Sequence, residues 1–357
     1  MQPLEGKRIL ITGGTGSLGK VLVRRLLSAE LGRPAQITVF SRDEAKQHYM
    51  RLEYLQRQAA TDEVIYRNFQ ELLSFRIGDV RDFHSVSVAL RGADVVFNAA
   101  ALKQVPTCEY FPFEAVRTNI MGAENIVRAI REHDLNVETV IGISTDKACK
   151  PVNVMGMTKA LQERVFISAN IDSARTRYVC VRYGNVLASR GSVIPLFHDQ
   201  IRSGGPVTIT TPEMTRFLLS LNEAVDTVFA ALQHAQPGET FIPRAPAARV
   251  VDIAEVLING RDIETKIVGI RPGEKTHEIM VSEEEISRTV ERDAYYAIQP
   301  ILPELQTLNA MEPTLTQEFS SADSLMPIAA LRQLLEARRL MVEHSQNGHS
   351  LETELLR

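Results

Sequence analysis

An apolar strand that runs straight into a glycine-spaced turn, within the first twenty residues, constrains this chain more than any other feature. Ile9-Leu10-Ile11-Thr12-Gly13-Gly14-Thr15-Gly16-Ser17-Leu18-Gly19 sets glycines at 13, 16 and 19 between a β-branched run and a helical pattern. Glycines so placed allow a tight turn. They also let the backbone N–H groups around Thr15, Ser17 and Leu18 approach a pyrophosphate at the positive end of a helix. Three spaced glycines alone are a weak signal, because turns use glycine routinely. Their position between a strand and a helix makes a dinucleotide the expected occupant.

The alternation continues through the first half of the chain. Arg8–Ile11, Ile37–Phe40, Phe75–Ile77, Val95–Asn98, Val140–Ile143 and Tyr178–Tyr183 read as strands. Helical spacings lie between them, among them Leu18, Val21, Leu22 and Leu26, and the stretch Ile120 to Ile130. Strands alternating with helices predict an α/β fold, a doubly wound parallel sheet of Rossmann type with both faces covered. After Gly184, glycines and prolines from Gly191 to Pro212 break the chain into loops. The expected organisation is a dinucleotide-binding domain over 1–184, to which 220–245 return through a helix Leu221–His234 and a strand Thr240–Pro243. A smaller substrate-binding lobe takes 185–219 and 246–308, including a helix Val250–Leu257. Residues 309–357 supply an amphipathic helix, Pro327–Leu340, and a polar tail.

Charge and cysteine content narrow the partners. Lys+Arg 40 against Asp+Glu 44 leaves no basic excess of the kind a nucleic-acid protein carries. No run approaches about 18 apolar residues and the N-terminus lacks an apolar core, so a cytoplasmic protein without a membrane partner is expected. Cys108, Cys149 and Cys180 are odd in number and form no CxxC pair, which predicts reduced thiols and no metal site. Cys149 follows Lys147 by two residues, but nothing nearby supplies it with a base. A space-filling role is expected.

Polar side chains gather at the carboxyl ends of the strands, where open parallel sheets bind ligands. The second strand ends Phe40-Ser41-Arg42-Asp43. A hydroxyl followed by arginine suits a ribose 2′-phosphate and favours NADP, while Asp43 leaves NAD open. The plainer alternative for Arg42 is a solvated surface charge. The third strand ends Gly78-Asp79-Val80, which fits either an adenine contact or a simple turn. The fifth runs into Thr145-Asp146-Lys147, and Met155-Gly156-Met157-Thr158-Lys159 then opens a helix.

Taken in order, these pieces resemble an extended short-chain dehydrogenase/reductase, of the branch of UDP-N-acetylglucosamine 4,6-dehydratases and related polysaccharide-biosynthesis proteins. The matching segments include Gly13–Gly19, Phe40–Glu44, Asn98–Pro106, Thr118–Asn125, Ser144–Lys147 and Asn153–Lys159. They continue with Arg182–Leu187, Glu213–Phe217 and Arg271–Lys275, so the resemblance spans roughly residues 7 to 300. It implies a redox cycle that closes on itself. Hydride leaves sugar C4, the C5 proton and the C6 hydroxyl are lost, and hydride returns to C6. Asp146 is then the acid at O6 and Lys147 the base at C5, with Thr145 beside them and Lys159 on the nicotinamide ribose. A lysine serves as base only if burial or nearby positive charge lowers its pKa.

The resemblance also implies cofactor contacts from Ala99, Ala100, Lys103 and Asn119. It implies substrate contacts from Lys103, Asn185, Arg216 and Arg271, with Arg190 as either a further phosphate ligand or a solvated loop residue. Glu274 is expected on ribose hydroxyls or on Arg271. A homo-oligomer is implied as well. Most short-chain dehydrogenases carry tyrosine four residues before the helical lysine, and here that residue is Met155, whose thioether cannot accept the C4 hydroxyl proton. Asp146, or water relayed through Thr145, are the candidates for that task. Three rivals stand beside the UDP-N-acetylglucosamine reading: a GDP-linked donor, a nucleotide-sugar 4-epimerase, and a non-catalytic NADP-binding sensor.

Overall fold

The computed structural model describes residues 2–56, 63–187, 192–306 and 312–343. Six strands in the first half, β1 (Arg8–Thr12), β2 (Gln36–Ser41), β3 (Leu73–Ile77), β4 (Val95–Asn98), β5 (Thr139–Ile143) and β6 (Arg177–Val181), are the six expected from the sequence. They lie parallel in the order β3-β2-β1-β4-β5-β6, and Thr240–Pro243 adds a seventh parallel strand beside β6. Every residue of β4 and β5 is buried, because helices cover both faces. Apolar clusters fill the two sides. One gathers Val21, Leu22 and Val225 over Ile11, Val39 and Phe241; the other sets Ile126, Ile130 and Phe166 against Val96 and Val140.

The strand order reverses between β1 and β4, which opens a crevice beyond their carboxyl ends. Thr12 Oγ1 donates to Asn98 Oδ1 at 2.6 Å and accepts from the Ala100 N–H, fixing the crevice where the two strands part.

Three boundaries differ from expectation for physical reasons. Residues 289–298, assigned above to the lobe, form an antiparallel hairpin, Thr289–Arg292 with Tyr295–Ile298. It extends the main sheet beyond Thr240–Pro243 to nine strands. The helix expected from Ile120 is preceded by a π-turn, Val116–Met121, before regular geometry over Gly122–Glu132. The C-terminal helix is Ile328–Ala337, and its Leu331 and Leu335 complete a second apolar core with Ile253 and Leu257 of helix Val250–Ile258 and with Ile194 and Phe197. The helix therefore belongs to the lobe. The polar tail from residue 344 and Arg190 lie outside the described residues.

Candidate active site

The crevice holds a cavity of about 980 Å³ that reaches from the glycine turn, across the end of β5, to Arg271 and Glu274. At one end Gly13 adopts φ +67°, and a Cβ there would fall 2.7 Å from the Ala100 backbone. A Cβ on Gly19 would fall 2.5 Å from the backbone of Gly14. Helix Ser17–Leu27 starts at Gly16 with no side-chain cap and no acidic residue in its first turn. Its first N–H groups and its dipole therefore face the cavity unopposed, as a pyrophosphate requires. The residues present fit a dinucleotide.

All the cofactor positions expected from the sequence line this cavity except Asn119. Asn119 is fully buried and its amide is spent on the chain: Oδ1 accepts from the Leu102 N–H, and Nδ2 donates to Leu102 O and Thr158 Oγ1. It shapes the loop that carries Lys103 instead of reaching a ligand. Asp79 lines the wall, but its carboxylate is held by Arg81 at 2.6 Å. Burial works to raise its pKa; the Arg81 bonds outweigh that and hold it below the ordinary value. Arg42, exposed and 4.0 Å from Asp79, stands at the rim beside Ser41, whose hydroxyl accepts from buried Gln47.

Thr145, Lys147, Met155 and Lys159 meet at the centre of the cavity wall. Thr145 caps a single 3-10 turn, Asp146–Ala148, that carries the Asp-Lys pair off the end of β5. Gly156 lets the next helix, Val154–Ala169, start against that turn, since a Cβ there would fall on the Lys147 carbonyl oxygen. Asn153 caps the helix through the Gly156 N–H at 2.8 Å.

Asp146 is completely buried. Its Oδ1 accepts from Thr145 Oγ1 at 2.9 Å and from Lys147 Nζ at 3.0 Å, while Oδ2 has no partner among the described residues. Only Thr145 and Lys147 of the three face the cavity. Lys147 Nζ also donates to Asn185 Oδ1 at 3.0 Å and lies 3.1 Å from Glu278 Oε1.

This clamp overturns the expectation that Lys147 has a lowered pKa. Burial does push its ammonium toward neutrality, but the charges of Asp146 and Glu278 outweigh burial and the opposing Arg216, and hold the pKa above the usual lysine value. The lowered lysine is Lys159. Burial brings its pKa to about 8, and its ammonium donates to the Ile143 carbonyl and to Gln162 Oε1.

Met155 packs with Cys108 and Ala115 into an apolar patch of the wall, so no proton carrier occupies the tyrosine position. Arg216 also departs from expectation. It is buried, off the cavity, and its guanidinium donates to the carbonyls of Thr215, Lys275 and Thr276, which shapes the segment leading to Glu278. Asn185, Arg271 and Glu274 do line the cavity, and Glu274 bears on the backbone N–H of Arg271 rather than on its guanidinium. Sequence reasoning missed Glu278 and Gln162. Glu278 lies three residues past the Arg271–Lys275 motif with no recognisable spacing, and Gln162 carries only the i, i+3 relation to Lys159. Cys149 is buried, pushed up to about 12 chiefly by that burial, and packs against Glu285, as a filler would.

Residues 9–300 match the model of a polysaccharide biosynthesis protein family. The chain is 45% identical over 307 residues to a protein of Methanocaldococcus jannaschii named as an uncharacterized membrane protein, covering 83% of this chain and 86% of that one. It is 44% identical over 297 residues to the UDP-glucose 4-epimerase of Rickettsia akari, covering 82% of each. No helix among the described residues is long and apolar enough to cross a membrane. The X-ray structure of Pen from Bacillus thuringiensis is similar with a TM-score of 0.83 at 34% identity, over 95% of this chain and 99% of that one. More distant structures, of a dTDP-glucose 4,6-dehydratase and of UDP-sugar 4-epimerases at 20% to 22% identity, share the fold.

Proposed function

The chain belongs to the polysaccharide biosynthesis protein family, whose fold here is that of the extended short-chain dehydrogenases/reductases, and we propose that within it the protein is a nucleotide-sugar 4,6-dehydratase. The substrate we assign is UDP-N-acetylglucosamine, with GDP-N-acetylglucosamine as the other donor to test, and the cofactor NADP. One observation carries the reading. Thr145, Asp146 and Lys147 form a linked proton-handling chain on a wall where Met155 replaces the tyrosine of a simple dehydrogenase.

A bound nicotinamide would take hydride from sugar C4 and return it at C6. The chain's own residues move the protons. The C4 hydroxyl gives its proton to Thr145 Oγ1, which relays it to Asp146 across 2.9 Å, so the thioether of Met155 is bypassed. Oxidation at C4 acidifies C5, and Lys147 as the neutral amine takes that proton. The C–H electron pair forms the enolate, which expels O6. Asp146 returns its stored proton through Thr145 to the leaving oxygen, which departs as water. After hydride reaches C6, Lys147 returns a proton to C5. Substrate minus one water is the net result. Lys103, Asn185, Arg271 and Glu274 line the cavity and in this reading hold the sugar nucleotide, the arginine being suited to phosphate oxygens.

Incubation with UDP-N-acetylglucosamine in heavy water is expected to give a product lighter by one water that carries solvent deuterium at C5, read by mass spectrometry and NMR. The GDP-linked sugar run in parallel tests the base. A 4-epimerase is the second reading, favoured by the name of the Rickettsia akari relative. An isobaric C4 epimer with no loss of water would establish it in place of dehydration, and an untouched sugar with both donors would leave a sensor.

The cofactor has its own test. Replacing Arg42 by alanine is expected to weaken NADP binding by about 10- to 100-fold, the worth of one charge-assisted phosphate contact, with NAD binding little changed. Parallel fluorescence titrations with NADPH and NADH measure both. An equal effect on the two would return Arg42 to a solvated surface charge.

A further inference from the structure

The segment that ends in Glu278 is fastened to the catalytic turn at three points. Asn153 Nδ2 donates to Gly273 O at 2.7 Å, Lys275 Nζ donates to Cys149 O at 2.6 Å, and Glu278 Oε1 meets Lys147 Nζ at 3.1 Å. Glu278 is 1% exposed and lies behind the cavity wall, so it cannot touch a ligand. Its backbone N–H donates to Ser321 Oγ, and its Oε2 is buried with no partner among the described residues.

The charges around Lys147 balance. Asp146 and Glu278 bring two negatives; Lys147 and Arg216, the latter 3.9 Å from Glu278, bring two positives. Asn185 is the neutral fifth member. In this arrangement the ammonium of Lys147 is well stabilised and is no base.

We propose that Glu278 is a positioning residue for the reaction, fixing Nζ of Lys147 at the cavity wall and receiving its surplus proton when a neutral amine is required at C5. The step breaks one N–H bond of the ammonium and forms one O–H bond on the carboxylate. It leaves a neutral amine and a neutral acid, so the net charge of the buried group is unchanged. This role in catalysis rests on the dehydratase reading; the Glu278–Lys147 coupling that underlies it does not.

The coupling is tested without any sugar. Lys147 in the full-length protein is acetylated competitively with acetic anhydride across a pH series, and peptide mapping by mass spectrometry gives its labelling midpoint, with exposed Lys46 as internal reference. In Glu278→Gln the midpoint is expected to fall by about one pH unit or more, as loss of one close opposite charge requires. Glu278→Asp, which keeps the charge but retracts it by one methylene, is expected to fall between Gln and the wild type. A midpoint unmoved in both variants would overturn the proposal. If dehydration is observed, Glu278→Gln is also expected to lower kcat with KM nearly unchanged, whereas a purely structural residue would shift the melting temperature alone. A moved midpoint in a protein that dehydrates neither sugar would preserve the coupling and remove the dehydratase reading.

Discussion

Replacing Lys147 by alanine is expected to lower the rate of sugar dehydration by about 10²- to 10⁴-fold, the range for loss of a positioned acid–base group. Cofactor binding should survive, because the glycine turn and the Ser41–Arg42 rim lie at the other end of the cavity. Lys147 lines the wall with a nitrogen held between two carboxylates, Asp146 and Glu278. Among the described residues Lys159 meets no carboxylate through its ammonium, which donates to the Ile143 carbonyl and Gln162 Oε1. The measurement is product formation by NMR beside a NADPH titration on the same preparation. Activity within a few-fold of wild type, with cofactor bound, would remove Lys147 as the base. Loss of both would point to damage to the fold rather than to the chemistry.

The second large effect concerns stability. Arg182 follows β6 and is almost wholly buried between two carboxylates, 2.8 Å from Glu163 Oε2 and 2.8 Å from Glu285 Oε2, and it also donates to Met280 O. Glu163 is further bound by the Ser144 hydroxyl at the end of β5. The cluster ties the sheet and helix Val154–Ala169 to the 279–286 segment. Arg182→Leu would leave two buried acids without their cation, at a cost of roughly 3–5 kcal/mol. The pH dependence gives the effect a signature. In the wild type, burial works to raise the Glu285 pKa but Arg182 prevails and holds it below the ordinary value. A lowered native pKa contributes stability that is present above the unfolded value and is lost as pH falls through the native one. In Arg182→Leu, burial of Glu285 is opposed only by the Ser282 N–H and Arg288 and raises its pKa, so its contribution reverses and stability declines as pH rises. Urea melts at pH 5 and pH 8 should therefore show the variant closest to wild type at pH 5. A variant that is equally destabilised at both would mean that lost packing, not charge, sets the cost.

Much of this was legible in the sequence because its physics is local. The glycine turn is written in contiguous residues, and β-branched runs flanked by helical spacings named all six strands of the first half. Thr145, Asp146, Lys147 and Lys159 lie near one another because the end of one strand and the start of the next helix fix them together. What escaped depended on contacts between distant segments. Glu278 is 131 positions from Lys147, and its charge adds to that of Asp146 in holding the lysine's pKa up against burial. Arg216 and Asn119 are expected at ligands from the family resemblance, yet their donors are taken up by carbonyls and a hydroxyl of chain segments that the fold brings near. The hairpin 289–298 looked like lobe because a short antiparallel edge carries no crossover helix to announce its sheet.

The close approach at Gly156 has an evolutionary consequence. Position 156 is closed to any side chain, because even a methyl group would strike the Lys147 carbonyl. Position 155, one residue earlier on the same helix, presents its side chain to the wall while its carbonyl accepts from the Thr158 hydroxyl and the next N–H, of Gly156, is held by the cap at Asn153. Mutation at 155 can therefore exchange a phenol for a thioether without moving the turn that carries Asp146 and Lys147. Descent with that one change would alter the chemistry available at the wall while the turn bearing the Asp-Lys pair is inherited intact.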